Sequence, residues 1–173
     1  MRMTTVCIAL AMASPTTAAW GQAPNDAQIA HVVVTANQVD IDAGKLAASK
    51  AASAEVRTFG ERMVVDHSGV NKAAVELATR LGVTPEDNPT SQALRAAGEK
   101  NLAALKALSG ASFDKAYVDN EVAYHQQVID ALDKVLIPAA SNEELKALLV
   151  KVRPAFVAHL EHAKRQQAAL GGK

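Results

Sequence analysis

Three of the five histidines in this 173-residue chain interrupt apolar stripes at helical spacing. Between residues 53 and 81 the inward positions read Val56, Phe59, Met63, His67, Val70, Ala74, Leu77 and Leu81, so His67 takes a core position. Further on, Val118, Val122, His125, Ile129, Leu132 and Leu136 put His125 in the same kind of register. Leu145, Leu148, Val152, Phe156, His159 and Ala163 do so for His159, and Val33, Ala36, Asp40, Ala43 and Ala47 for Asp40. Each stripe therefore carries one side chain able to bind a metal ion. All four lie near the midpoints of their segments, so they reach one level whichever way each helix runs. Three imidazoles and one carboxylate at one level suit a single Zn²⁺, Cu²⁺, Ni²⁺ or Fe²⁺ ion. Asp66 beside His67, Glu121 one turn before His125, and His162 one turn beyond His159 are placed to orient such ligands from outside.

The same residues allow a plainer arrangement. A histidine on an apolar stripe is ordinarily satisfied by a backbone carbonyl or a nearby carboxylate, and Asp66 and Glu121 can serve. A carboxylate-bridged di-iron pair needs Glu-x-x-His on two helices, and that tetrapeptide does not occur. A b-type haem finds little room between alanine-lined stripes. There is no Gly-x-Ser-x-Gly, phosphate-binding loop or dinucleotide fingerprint. Tyr117 and Tyr124 are too few to stack bases. With no catalytic constellation legible, binding rather than turnover is expected. His31 lies off the Asp40 stripe and reads as a surface residue. Pro154 deletes a hydrogen bond to Val150 and kinks its helix little more than one turn before His159.

The elements that must position these residues are four long helices, over roughly 26–50, 53–81, 112–137 and 141–170. Asn25 or Asp26 caps the first and Ser53 the second, with Gly82 just past its end. Ser112 caps the third and Pro138 stops it; Ser141 and Glu144 form a capping box for the fourth. Residues 82–111 form a long connection carrying a shorter amphipathic stretch marked by Leu94, Leu105 and Leu108. Short, long, short is the connection pattern of a ferritin-like bundle, in which one crossover joins two helical hairpins. An up-down-up-down bundle with a decorated middle loop is the alternative.

Residues 1–23 read as a secretory signal, with Arg2 as the positive end, Val6 to Ala13 as a short apolar run, and cleavage after Ala19, Gly21 or Ala23. That run is too short to span a membrane. Cys7 and Trp20, the single cysteine and tryptophan, belong to this leader or its junction. A cysteine-free domain of residues 24–173 fits an oxidising compartment such as a periplasm. With 18 basic and 18 acidic side chains, the chain lacks the field that nucleic-acid binders use. No other stretch is apolar and long enough to be a transmembrane segment.

Several runs resemble a known family. They are Asp40-Ile41-Asp42-Ala43-Gly44-Lys45-Leu46-Ala47, then Val56 to His67 with its Met-x-x-Asp-His ending, and Leu108 to Tyr117 with Phe-Asp-x-x-Tyr. Pro154 followed by His159-Leu160-Glu161-His162-Ala163 completes the set. In these the chain resembles the exported bacterial proteins grouped as domain of unknown function 4142. The resemblance implies a ferritin-like helical bundle, periplasmic or attached to the outer membrane, with no established activity. Where that family tends to have glutamate in the first helix, this chain has the shorter Asp40. The expectation is an all-α, exported bundle that binds one transition-metal ion for storage, buffering or stress tolerance. The alternative is a structural or interaction module of the cell envelope with a hydrogen-bonded polar core layer. A partner would be another envelope protein or a second copy of the chain.

Overall fold

The computed structural model describes residues 23–172, all helices and connections. The leader through Gln22, with Cys7 and Trp20, lies outside the described residues. Helix α1 spans Asp26–Lys50. Its start is a reciprocal cap, in which Gln28 N donates to the Asn25 side chain (2.9 Å) and Asn25 N to the Gln28 side chain (3.2 Å). Helix α2 spans Ala54–Arg80 behind the Ser53 cap. The two are packed so closely that a β-carbon on Gly44 or on Gly60 would lie 2.8 Å from the other residue's carbonyl oxygen.

The crossover carries more structure than its sequence pattern suggests. Helix α3, Pro89–Lys106, is 18 residues long, capped by Asn88 with Pro89 in the first turn. Its buried residues Ser91, Gly98 and Leu105 recur every seven positions and face α1, where Gly98 meets Val39. A stripe of serine, glycine and leucine carries little hydropathy contrast, which is why only its leucines stand out in the sequence.

Helix α4 spans Gly110–Ala131 with Ser109, not the expected Ser112, at its N-cap; Ser109 makes no side-chain cap bond, and the first residue Gly110 takes a φ of +58° that glycine allows. Pro138 does not end it abruptly. A wide turn over Leu132–Leu136, in which Ile137 N–H donates to the Leu132 carbonyl, precedes the short helix α5, Ile137–Ala139. Pro138 has no N–H for the Lys134 carbonyl and its ring needs room there, which the wide turn supplies. Helix α6 spans Glu143–Gly171 and runs through Pro154. Its cap is Asn142, whose side chain accepts from Glu144 N (2.9 Å) and Leu145 N (3.1 Å). Ser141, expected in that role, donates its hydroxyl to Asp26 instead (2.6 Å).

Two buried or bridging carboxylates fix the topology. Asp26 accepts from Ser141 and Asn142, so α1 and α6 start at the same end of the bundle. Asp114, in the first turns of α4, accepts from Ala52 N (2.9 Å) and Ser53 N (2.8 Å), so α4 starts beside the α1–α2 turn. Helices α2 and α4 therefore run the same way, and α3 is the crossover that makes this possible. The chain is an all-α bundle of two antiparallel hairpins, α1–α2 and α4–α6, rather than an up-down-up-down array. No described helix is long and apolar enough to cross a membrane.

The core divides in two. One apolar cluster gathers Ile29, Val33, Leu77, Ile129, Leu132, Leu149 and Phe156. The other gathers Ala47, Val56, Phe59, Met63, Phe113, Tyr117 and Val118. Along α1, α2 and α4 the junction between them falls at Asp40, at His67 and at Glu121 with His125; on α6 it falls between Leu160 and Ala163, just past His159. The stripe expected on α6 is shifted: Leu149 is fully buried, whereas Leu148 and Val152 are only half-buried.

Candidate metal centre

The junction layer brings together all four side chains singled out by spacing. Asp40, His67, His125 and His159 are each 5% exposed or less. The ring centres are 5.5 Å apart for His67 and His125, 5.2 Å for His67 and His159, and 5.3 Å for His125 and His159. One ring nitrogen from each lies within 4.8 Å of the other two. Imidazoles bound tetrahedrally to one ion at about 2 Å, each ring centre about 1.1 Å further out, have centres about 5 Å apart. The triangle has the size that a shared ion requires. It leaves no slot between two rings for a flat macrocycle.

Each outer ring nitrogen has an acceptor. Asn37 Nδ2 donates to the Val33 carbonyl (2.7 Å), which turns its Oδ1 towards His67 Nδ1 at 2.7 Å. His125 Nδ1 donates to the Glu121 carbonyl (3.1 Å), and His159 Nε2 to Asp66 Oδ2 (2.9 Å). These bonds place a proton on every outer nitrogen. The inner nitrogens, His67 Nε2, His125 Nε2 and His159 Nδ1, are buried without a hydrogen-bond partner, as are both oxygens of Asp40. Asp40 Oδ2 nevertheless sits 2.8 Å from His67 Nε2 and 3.4 Å from His125 Nε2. Acceptors this close repel one another unless a cation, a proton or a metal ion, lies among them.

Burial pushes His125 down to about 4, against the pull of Asp40, so its ring is neutral at ordinary pH. Burial also lowers His159, partly offset by its hydrogen bond to Asp66. For Asp40, burial acts to raise the pKa, but His67 and then the other two imidazoles outweigh it and leave it lowered. Glu121 is raised well above the carboxylate range by burial and by Asp40. Its Oε2 lies 3.4 Å from His125 Nδ1. Asp40, Glu121 and His125 thus form a second group of close donors, joined to the three-histidine group through His125.

The residues expected to orient the ligands divide. Asp66 and Glu121 touch the cluster. His162 does not: its ring packs edge-on against Phe59 at 4.8 Å and its Nε2 lies 3.3 Å from Gln166, because one further turn carries it past the layer. His31, read as a surface residue, is partly buried, with Nδ1 3.6 Å from Asp87. Asn37 and Phe156 join the layer although no motif marks them. Asn37 lies three residues before Asp40, a spacing that puts both on one face. Phe156 stacks on His67 with ring centres 5.2 Å apart and planes 8° from parallel. Tyr124 donates its hydroxyl to the Ala36 carbonyl (2.7 Å), one turn from Asp40. On the far side of His67 an apolar hollow of about 30 Å³ is walled by Val32, Val128, Leu132, Leu149 and Phe156.

Comparison with curated proteins gives no match, and comparison with solved structures gives none either. One family model matches residues 11–165, which includes every residue of the layer. Its description is Domain of unknown function (DUF4142), and no activity comes with it. The Met-x-x-Asp-His run supplies Asp66 and His67 to the layer, and Phe-Asp-x-x-Tyr supplies the carboxylate that ties α4 to the α1–α2 turn. With the match extending over most of its length, the chain belongs to the DUF4142 family.

Proposed function

We propose that this chain is an exported helical bundle that holds one transition-metal ion between His67, His125, His159 and Asp40. The role is storage, buffering or stress tolerance rather than turnover. The observation that carries the reading is the layer itself: each of three imidazoles has one ring nitrogen against an acceptor, one ring nitrogen from each lies within 4.8 Å of the other two, and Asp40 Oδ2 lies 2.8 Å from His67 Nε2 and 3.4 Å from His125 Nε2. Neutral imidazole nitrogens with their opposite edges anchored are the form that a metal ion takes as ligand. Nitrogen-rich donors at this spacing suit Zn²⁺, Cu²⁺, Ni²⁺ or Fe²⁺ and disfavour Mg²⁺ or Ca²⁺, which want oxygen. In the competing envelope-module reading, a purely hydrogen-bonded polar layer, His67 and Glu121 can satisfy Asp40, but His125 Nε2 and His159 Nδ1 stay buried without partners, each costing about 1–3 kcal/mol. Elemental analysis of protein from its native compartment tests the proposal. One ion per chain, absent from His67→Ala, is expected; trace metal unaffected by that substitution overturns it.

Export to the periplasm, with or without attachment to the outer membrane, is part of the same proposal. It rests on the leader pattern of Arg2 and Val6 to Ala13. The mass of the protein recovered from a periplasmic extract checks it. A polypeptide beginning after Ala19, Gly21 or Ala23 is expected, and one retaining Arg2 overturns it.

A further inference from the structure

An ion held by donors that are 5% exposed or less needs a way in. Two of the three groups that hold the outer ring nitrogens are themselves sealed, since Asn37 is 3% and Glu121 1% exposed. The third is not. The side chain of Asp66 is 44% exposed, while its Oδ2 lies 2.9 Å from His159 Nε2. Asp66 thus joins water to the buried layer through a single imidazole.

We infer that Asp66 is the capture residue of the metal centre: its carboxylate takes a hydrated divalent cation at the α2–α6 seam and passes it inward as His159 turns. The inference rests on the metal-binding reading and concerns the path to the site. A carboxylate is the right first contact, because an anionic oxygen replaces lost hydration water while the ion is still partly solvated. His159 is the right carrier. Its Nδ1 faces the layer without a partner and its Nε2 faces Asp66, so the two nitrogens of one ring address the inside and the outside. Pro154 removes the hydrogen bond to Val150 from α6 little more than one turn earlier, so this stretch has one restraint fewer. The hollow beside His67 is the other approach; Asn37, His67 and Tyr124 line it among valine, leucine and phenylalanine, but Asn37 is bonded to Val33 and His67 and the Tyr124 hydroxyl to the Ala36 carbonyl, so they are not free to replace the ion's water.

The experiment measures Zn²⁺ loading of the metal-free full chain and Zn²⁺ release to a chelator, both by stopped flow with a fluorescent zinc indicator. Asp66→Asn keeps an oxygen to accept from His159 Nε2 and removes the charge. A capture residue lowers the barrier in both directions, so loading and release both slow by about tenfold in Asp66→Asn while Kd changes less than either rate. Raising the salt concentration slows loading of the parent protein and has less effect on the variant. Val128→Leu, which narrows the hollow, leaves both rates unchanged. An unchanged loading rate in Asp66→Asn, or faster release without slower loading, assigns Asp66 to orienting His159 alone and overturns the inference. Slower loading in Val128→Leu moves the path to the hollow and also overturns it. If the parent protein takes up no Zn²⁺ or other transition-metal ion, the metal-binding reading falls with it, whereas uptake at an Asp66-independent rate removes only the capture role.

Discussion

Asp40 Oδ2 lies 2.8 Å from His67 Nε2, yet the two are not aligned as donor and acceptor. Asp40 Oδ2 also lies 3.4 Å from His125 Nε2. Under the proposed metal-binding reading both are ligands of one ion; in the alternative they are a buried ion pair. A proton can occupy the gap in the metal-free protein, and a metal ion displaces it. Asp40→Asn keeps the shape and removes the charge. Zn²⁺ affinity is expected to fall at least about a hundredfold, beyond what loss of an outer partner costs. Competition with a chelator of known affinity measures it.

Asn37 fixes the tautomer of His67 by presenting Oδ1 to its Nδ1. In Asn37→Leu the ring keeps its packing against Phe156 but loses the acceptor. Metal affinity is expected to drop about 10- to 100-fold while the helical content stays unchanged. Zn²⁺ titration followed by far-ultraviolet circular dichroism checks both halves.

A bound ion stabilises the fold by mass action, because the donors come together only when four helices pack. At free metal about a thousandfold above Kd the gain is about 4 kcal/mol. Chelation should therefore lower the Tm of the parent protein and leave that of His67→Ala unmoved. Calorimetry with and without chelator gives the answer. An equal drop in both proteins counts against the ion as the cause.

Acid acts on the metal-free protein through its buried imidazoles. His125 has a folded pKa of about 4 against an ordinary value of 6.5, so the unfolded chain binds the proton first. Its contribution is whole above pH 6.5, shrinks as pH falls towards 4, and is gone below; it amounts to at most about 3 kcal/mol. His159 is shifted in the same direction. Glu121, raised well above the carboxylate range, acts oppositely and destabilises as pH rises. Glu121→Gln isolates the histidine effect. In chelator, urea unfolding of that variant should show stability falling between pH 6.5 and 4.

The α1–α2 approach is set by two glycines in backbone contact. A β-carbon on Gly60 would meet the Gly44 carbonyl at 2.8 Å and Ala47 Cβ at 2.9 Å, with no flexible side chain to yield. Gly60→Ala should cost about 1–3 kcal/mol despite alanine's better helix propensity. It should also weaken metal binding, since α1 carries Asp40 and α2 carries His67. Gly69→Ala is the control, because nothing lies within 4 Å of its added carbon.

Much of the layer is legible in the amino-acid sequence. Periodicity depends on local chain geometry, so the stripes through His67 and His125 are buried at every expected position but Val70, Leu81 and Val122, which are half-buried, and the midpoints of the long helices place Asp40, His67, His125 and His159 at one level. The register fails where hydropathy contrast is weak. Along α3 the stripe is Ser91, Gly98 and Leu105, and an 18-residue helix reads as a loop with a short amphipathic piece. Caps are ambiguous where two polar residues adjoin, since Ser141 and Asn142 are equally competent until Asp26 claims the first.

Sequence alone determines which side chains lie on the inward faces and at what height, because both follow from 1.5 Å and about 100° per residue within one helix. It does not determine which edge of each ring faces inward, what holds the other edge, or whether one turn more, as at His162, stays in the layer or leaves it. Those depend on rotation and spacing between helices that are distant in the chain. They are fixed by the Gly44–Gly60 approach, by the Asp26 and Asp114 ties, and by Asn37 and Asp66 reaching across from neighbouring helices. The candidate donors are written in the chain, and the packing of α1, α2, α4 and α6 brings them into one buried layer.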